Sequence, residues 1–224
     1  EFYESFFDFY PFFAAETRGE PLIENGRAQF GGEAGITVAD FWREVYSEDL
    51  SAPEPYQGDA FADGQAAMAT VGPWAIAAYG EPVDWGVAPV PTSAGIPADE
   101  TWTFSDAKSV GLYSSCDNQL SAWEFLKFAT SEEVDGQLLE ATGQMPLRTG
   151  LLERYAAYFK KNPGYRPFAE QAERVVEAPV TNNSIGAWQT FRDTWLRSVV
   201  FGQEAPESAL PEAADRVDEI VADK

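Results

Sequence analysis

The side chains that most often do chemistry are scarce in this sequence of 224 residues. It has no histidine, and Cys116 is its one thiol. Imidazole acid–base catalysis is therefore excluded, and most transition-metal sites lack their usual ligands. Carboxylates are abundant instead: 37 acidic residues against 15 basic ones give a formal net charge of −22. Their closest pairs are Glu132-Glu133, Asp99-Glu100 and Asp215 with Glu219. These fall at helix starts, in loops or on solvent-like faces, where carboxylates complement a helix N-terminus or simply hydrate. Nothing fixes two of them across a cleft as glycoside hydrolysis requires. The sequence also has no Gly-x-Ser-x-Gly elbow, no phosphate-cradling glycine loop and no metal-ligand cluster. Neither a cofactor nor a metal is expected.

Aromatic surface is what the chain offers in quantity, with seven Trp, nine Tyr and sixteen Phe. A flat ring can stack on the apolar C–H face of a sugar, and Trp suits that task because it is large, loses few rotamers and carries one N–H. Trp188 and Arg192 are four residues apart, so on a helix they share a face, and Arg192 could donate several N–H groups beside the ring. Trp74 follows Gly72-Pro73. Each has a plainer reading: Trp74 as a core aromatic at a helix start, Trp188 as part of an apolar helix face, Arg192 as a surface charge or salt-bridge partner.

The elements that would hold these residues can be read from periodicity and punctuation. The run from Phe6 to Phe13, with Phe2-Tyr3 before it, is too aromatic for an exposed loop and must line a core or a cleft. Glu24-Asn25-Gly26 marks a turn. Helices are expected over 38–46, over 59–69 with Phe61 and Met68 facing the core, and over 73–79 with Pro73 in the first turn. Strands are expected over 84–91, where prolines stop the ladder, and over 109–113. A helix pair follows over 118–130 and 132–142, the first carrying Ala122, Phe125, Leu126 and Ala129 on one face and the second capped by Gly143. Further helices are expected over 150–160, 167–177, 184–201 and 206–222. Trp42, Trp85, Trp123 and Trp195 are assigned to the core, and Cys116 to a buried or half-buried site.

Three stretches carry a resemblance. The first is Phe61-Ala62-Asp63-Gly64-Gln65-Ala66-Ala67-Met68, then Gly72-Pro73-Trp74, then Trp85-Gly86-Val87-Ala88-Pro89-Val90-Pro91. The second is Ser121-Ala122-Trp123-Glu124-Phe125-Leu126-Lys127-Phe128, with Gly143 and Met145-Pro146-Leu147-Arg148 after it. The third is Ala178-Pro179 with Ala187-Trp188 and Arg192 at the same spacing. Together they resemble the family 1 extracellular solute-binding proteins of ABC sugar importers, over nearly the whole chain but only about the back three-fifths of the family pattern. Ala178 departs from it, standing where maltodextrin binders carry a larger apolar residue.

The resemblance implies an α/β, two-lobed periplasmic-binding-protein-like fold, here mostly the helix-rich C-terminal lobe. Residues 1–103 and 161–224 are assigned to that lobe, and 104–160 to a segment completing the N-terminal one. It implies a binding protein rather than an enzyme, a monomer that captures a disaccharide or oligosaccharide by aromatic stacking in an interlobe cleft and delivers it to a membrane permease. The stacking role passes to Trp74 and Trp188, with Arg192 beside the latter. Tyr10, Phe7 and Trp102 are further candidates for the cleft. The location implied is extracellular or periplasmic, with a lipid anchor as one option, and the start at Glu1 without Met reads as a processed or truncated product. The acidic balance argues against a nucleic-acid partner. No run of ~18 apolar residues suggests a membrane span. Two other readings stay open: a carbohydrate-active enzyme such as a glycosidase, and a receptor of this fold for a non-sugar solute.

Overall fold

The computed structural model describes residues 4–222 apart from 55, 80–83, 106 and 108. Along the chain come helix α1 (Glu4–Glu16), the short strands β1 (Ile23–Glu24) and β2 (Arg27–Ala28), helices α2 (Glu33–Ser47) and α3 (Trp74–Tyr79), and strand β3 (Thr103–Ser105). Helices α4 (Gln119–Ala129), α5 (Glu132–Thr142), α6 (Leu151–Arg154), α7 (Ala156–Lys161) and α8 (Arg166–Gln171) follow, then strand β4 (Val175–Glu177) and helices α9 (Ser184–Trp195) and α10 (Pro206–Ala222). β1 and β2 form an antiparallel hairpin, and β3 pairs in parallel with β4, Phe104 opposite Val176. Helix predominates. Two compact units result: one comprises Glu1–Thr70, Pro89–Ser105 and Arg174–Lys224, the other Val71–Ala88 and Asp106–Glu173. Residues 104–105 thus group with the first unit, and 71–88 and 161–173 with the second.

The first unit is built on α1. The aromatic run winds as a helix despite Pro11 inside it. Residues three and four apart then fall on one face, which buries Phe6, Phe9, Tyr10 and Phe13. That face meets α9, which contributes Ala187, Phe191 and Trp195, and the hairpin strand region adds Leu22 and Phe30. Rings interlock: Phe9 lies 4.9 Å from Phe191 and 5.3 Å from Trp195 between centroids, and Phe30 lies edge-on to Phe191 at 5.1 Å. Each such pair adds about 0.5–1.5 kcal/mol beyond the area it buries. α1 ends where the Thr17 amide and hydroxyl both donate to the Phe13 carbonyl, and where Gly19, at φ +98°, donates to Ala14. Helix α10 closes the unit with Leu210, Ala213, Ala214 and Val217, four residues at helical spacing.

The second unit has a smaller centre, made by Leu139, Leu151, Phe159, Tyr165 and Ala169. Helix α5 has well-formed ends. Ser131 accepts from the Val134 amide at its start, acidic residues fill the first turn, and Gly143 terminates it in the left-handed conformation at φ +73°. The Tyr165 ring lies so close to Gly143 that a Cβ there would come within 2.4 Å of it.

Several expectations are corrected. Residues 59–69 are not a helix but a single turn over 60–64 followed by irregular chain: the Asp59 carboxylate accepts from the Phe61 and Ala62 amides, and Gly64 at φ +69° closes the turn. Met68 is exposed as a result. Residues 84–91 and 109–113 run without ladder bonds. In the first of these, Pro89 and Pro91 have no N–H to give a neighbour. The helix expected over 150–160 is broken at Tyr155 into α6 and α7, and that over 167–177 stops at Gln171, after which Val175–Glu177 pairs with β3. The α9 helix turns into a wider π-helical turn over Leu196–Val200. Trp123 is half-exposed, and no residue of α4 is buried. Phe2 and Tyr3 lie outside the described residues. Trp195 is buried in the first core and Trp42 packs against it. In the second unit, Trp85 lies against Gly164. Cys116 is half-buried. Among the described residues no helix is long and apolar enough to cross a membrane.

Candidate functional site

Five of the six candidate residues lie in the first unit. α1 supplies Phe7 and Tyr10, and α9 supplies Trp188 and Arg192 from the side of the helix next to its buried stripe. Phe6 joins them: its ring stands edge-on to Trp188 at 4.7 Å and to Phe104 of β3 at 5.5 Å. Phe7 meets Phe104 at 5.4 Å, and Tyr10 lies against the same ring at 5.2 Å. Phe7, Phe104 and Trp188 are only partly buried, so the cluster has one apolar side packed and another open. Arg192, one helical turn after Trp188, directs its Nε and Nη2 at Asp193 Oδ1, 2.9 and 2.6 Å away, which holds the guanidinium beside a carboxylate.

Tyr10 has a different position from the one expected of a cleft residue. It is fully buried, and its hydroxyl donates to the backbone carbonyl of Glu177 at 2.8 Å. Burial pushes the phenol pKa up to about 12, the Leu22 backbone partly offsets this, and the Glu177 charge adds to it. Its ring serves packing. Trp102 is half-buried and packs on the turn that ends α1, where a Cβ at Gly19 would come within 2.4 Å of its ring.

Trp74 belongs to the second unit, where it opens α3 directly after Gly72-Pro73. It is 50% exposed. Its ring folds back over Gly72 so closely that a Cβ at that position would overlap it. The missing side chain at Gly72 is therefore what lets the indole lie flat on the backbone.

Three members of the first cluster were not among the residues named as site candidates from the sequence. Phe6 stands four residues before Tyr10, a spacing that becomes meaningful only once α1 is known to be helical. Phe104 and Glu177 sit on three-residue strands whose pairing joins distant segments, and no local pattern announces them. Chemically, the cluster offers flat apolar rings, and α9 carries the Arg192 guanidinium one turn beyond Trp188, which suits non-covalent binding. Among the described residues no three of Cys, Asp and Glu gather as a metal site would require.

Comparison with known proteins agrees with this architecture. Residues 14–167 match the family model described as bacterial extracellular solute-binding protein. The fold is similar to that of the sugar-binding protein MalE from Xanthomonas citri (21% identity, TM-score 0.77, 96% of this chain and 56% of that one). It is also similar to the maltose-maltodextrin binding protein of Alicyclobacillus acidocaldarius (17%, TM-score 0.76, 95% and 59%). A third similar structure is the maltose/maltodextrin-binding domain MalE from Bdellovibrio bacteriovorus bound to maltotriose (23%, TM-score 0.72, 97% and 58%). The chain thus spans less than three-fifths of the length of these structures. A search of curated protein sequences gives no match. The protein has the two-lobed periplasmic-binding-protein-like fold over that part of its length, and the chain belongs to the bacterial extracellular solute-binding protein family.

Proposed function

We propose that the protein captures a disaccharide or oligosaccharide of the maltose, maltodextrin or trehalose kind outside the cytoplasmic membrane and delivers it to an ABC permease, as a monomer and without chemical change. The observation that carries the reading is that both rings singled out for stacking keep surface to offer, Trp74 half-exposed and Trp188 partly so, in a chain of this family. Structures of similar fold named as sugar-binding or bound to maltotriose support it. The extracellular family supports the location, and a lipid anchor belongs to the proposal. So does the lobe division at residues 103 and 160, in which sugar favours a closed form only by binding it more tightly than the open one.

Each ring is proposed to stack on a pyranose face, with Arg192 donating to hydroxyls beside Trp188. Phe7 extends the apolar surface, and Trp102 is a further candidate contact. Loss of one stacking ring costs about 1–3 kcal/mol by analogy with base–aromatic stacking, or roughly a 5- to 150-fold weaker Kd. The test is tryptophan fluorescence titration of the protein against malto-oligosaccharides, trehalose and other disaccharides, with chromatography of the sugar afterwards. Saturable quenching, weakened in both Trp74→Ala and Trp188→Ala, with the sugar recovered intact, is the expected result. Absence of any response to the panel overturns sugar binding, and shortened sugars would make the protein an enzyme.

A further inference from the structure

We propose that Tyr10 is a positioning residue for Trp188: it orients the partly buried indole from beneath, through Phe6 and through the peptide joining Glu177 to Ala178. That peptide is held at both of its polar atoms. Its carbonyl, on Glu177, accepts the Tyr10 hydroxyl at 2.8 Å, and its N–H, on Ala178, donates to the Ser105 carbonyl at 3.1 Å. The restraint lies at the end of β4, where the chain leaves toward α9. Only residues 178–183 separate it from the helix that carries Trp188. Thr181, midway along, is itself tied down, because Ser184 Oγ accepts from its amide at 2.9 Å and donates to its carbonyl at 3.0 Å. Little slack remains between the fixed peptide and the first turn of α9.

The second route is through rings. Tyr10 packs on Phe6, four residues earlier on α1, with centroids 5.1 Å apart at 55°. Phe6 in turn stands edge-on beneath Trp188. An edge-to-face contact fixes both the distance and the tilt of the upper ring, since the positive ring edge seeks the negative face. A fully buried phenol whose hydroxyl is committed to backbone cannot wander, and it transmits the position of α1 to both supports. The raised pKa of the phenol agrees with this, because it keeps the hydroxyl a donor at any ordinary pH.

The affinity part of the test rests on the sugar-binding reading, and the spectroscopic part does not. The protein is labelled with 5-fluorotryptophan, and the Trp188 resonance is assigned by its loss in Trp188→Phe. Tyr10→Phe keeps the ring and removes the hydroxyl. It is expected to shift or split the Trp188 fluorine signal while that of Trp123 stays in place. Phe6→Leu, which spares the hydrogen bond, is expected to shift it as well. With maltotriose as probe, Tyr10→Phe is expected to raise Kd by about 3- to 10-fold, and to have no further effect in a Trp188→Ala background, since coupling of that kind marks action through the partner. An unmoved Trp188 signal in both variants overturns the proposal, as does an equal loss of affinity in the Trp188→Ala background. If the unaltered protein binds no sugar, the sugar-binding reading fails and the fluorine signals alone decide the role of Tyr10.

Discussion

The two compact units treat their aromatic residues in opposite ways. In the first, Phe9, Phe13, Phe191 and Trp195 close on one another with almost no exposed surface. In the second, Trp123, Phe125 and Phe128 of α4 stand in solvent, while a centre of five buried residues is made by α5 to α8 and the turn at Tyr165. The sequence patterns of α4 and α9 are alike, aromatic and aliphatic residues at spacings of three and four. Periodicity thus reports which side of a helix is apolar. Whether that side is covered depends on surfaces contributed from elsewhere, and burial is what yields stability.

The largest expected effect breaks this contrast at its strongest point. Trp195→Ala should destabilise the first unit by about 3–5 kcal/mol, the range for a large aromatic removed from a packed core. Trp123→Ala should change the second by about 0.5 kcal/mol or less, as at exposed positions generally. Urea titration followed by circular dichroism measures both, and comparable midpoint shifts for the two would refute the difference in burial.

A smaller effect sharpens the comparison at two glycines of nearly equal conformation. Gly143 in the second unit and Gly26 in the first have φ of +73° and +76°. An added methyl at Gly143 meets the Tyr165 ring, whereas at Gly26 it meets open space. Gly26→Ala should cost about 1–2 kcal/mol from left-handed strain alone. Gly143→Ala should cost roughly 1–3 kcal/mol more, because it forces an overpacked contact as well. Equal losses in thermal melts would show that Tyr165 yields freely.

The smallest effect concerns alkaline pH. Tyr10 in the first unit and Tyr158 in the second both have phenol pKa values pushed up to about 12, chiefly by burial; for Tyr158 the neighbouring Tyr165 adds to this. A group that holds its proton more tightly when folded stabilises the fold below its unfolded pKa of about 10, and that contribution is lost as pH rises to 12. The melting temperature should therefore fall between pH 10 and 12, and less steeply in Tyr10→Phe or Tyr158→Phe than in the unaltered protein. Parallel slopes would remove both tyrosines from the account.

What could be read in the sequence follows the same physics. Helix α10 was legible to the residue, because Pro206 suits a helix start and Leu210, Ala213, Ala214 and Val217 mark one face. Gly143 was legible as a cap because a left-handed position favours glycine. Residues 59–69 misled: Asp59 accepts from the Phe61 and Ala62 amides as a helix start would, but left-handed Gly64 ends the winding after one turn. Helix α1 hid inside a run so uniformly aromatic that no period stood out. Of the proposed site, Trp74 and Trp188 were named from the sequence, and both keep some exposed surface. What these rings touch, Gly72 for one and Phe6 for the other, is defined by approach in space.

The tie between Tyr10 and Glu177 also spans 167 residues of chain. During synthesis at about 5–20 residues per second, α1 waits on the order of 10–30 s before the end of β4 has been made, and α9 emerges later still. Through that interval Phe6, Phe9, Phe12 and Phe13 have no partner from the C-terminal helices. A core closed in the finished protein is, for the nascent chain, a long-lived sticky surface, and chaperone demand should centre there.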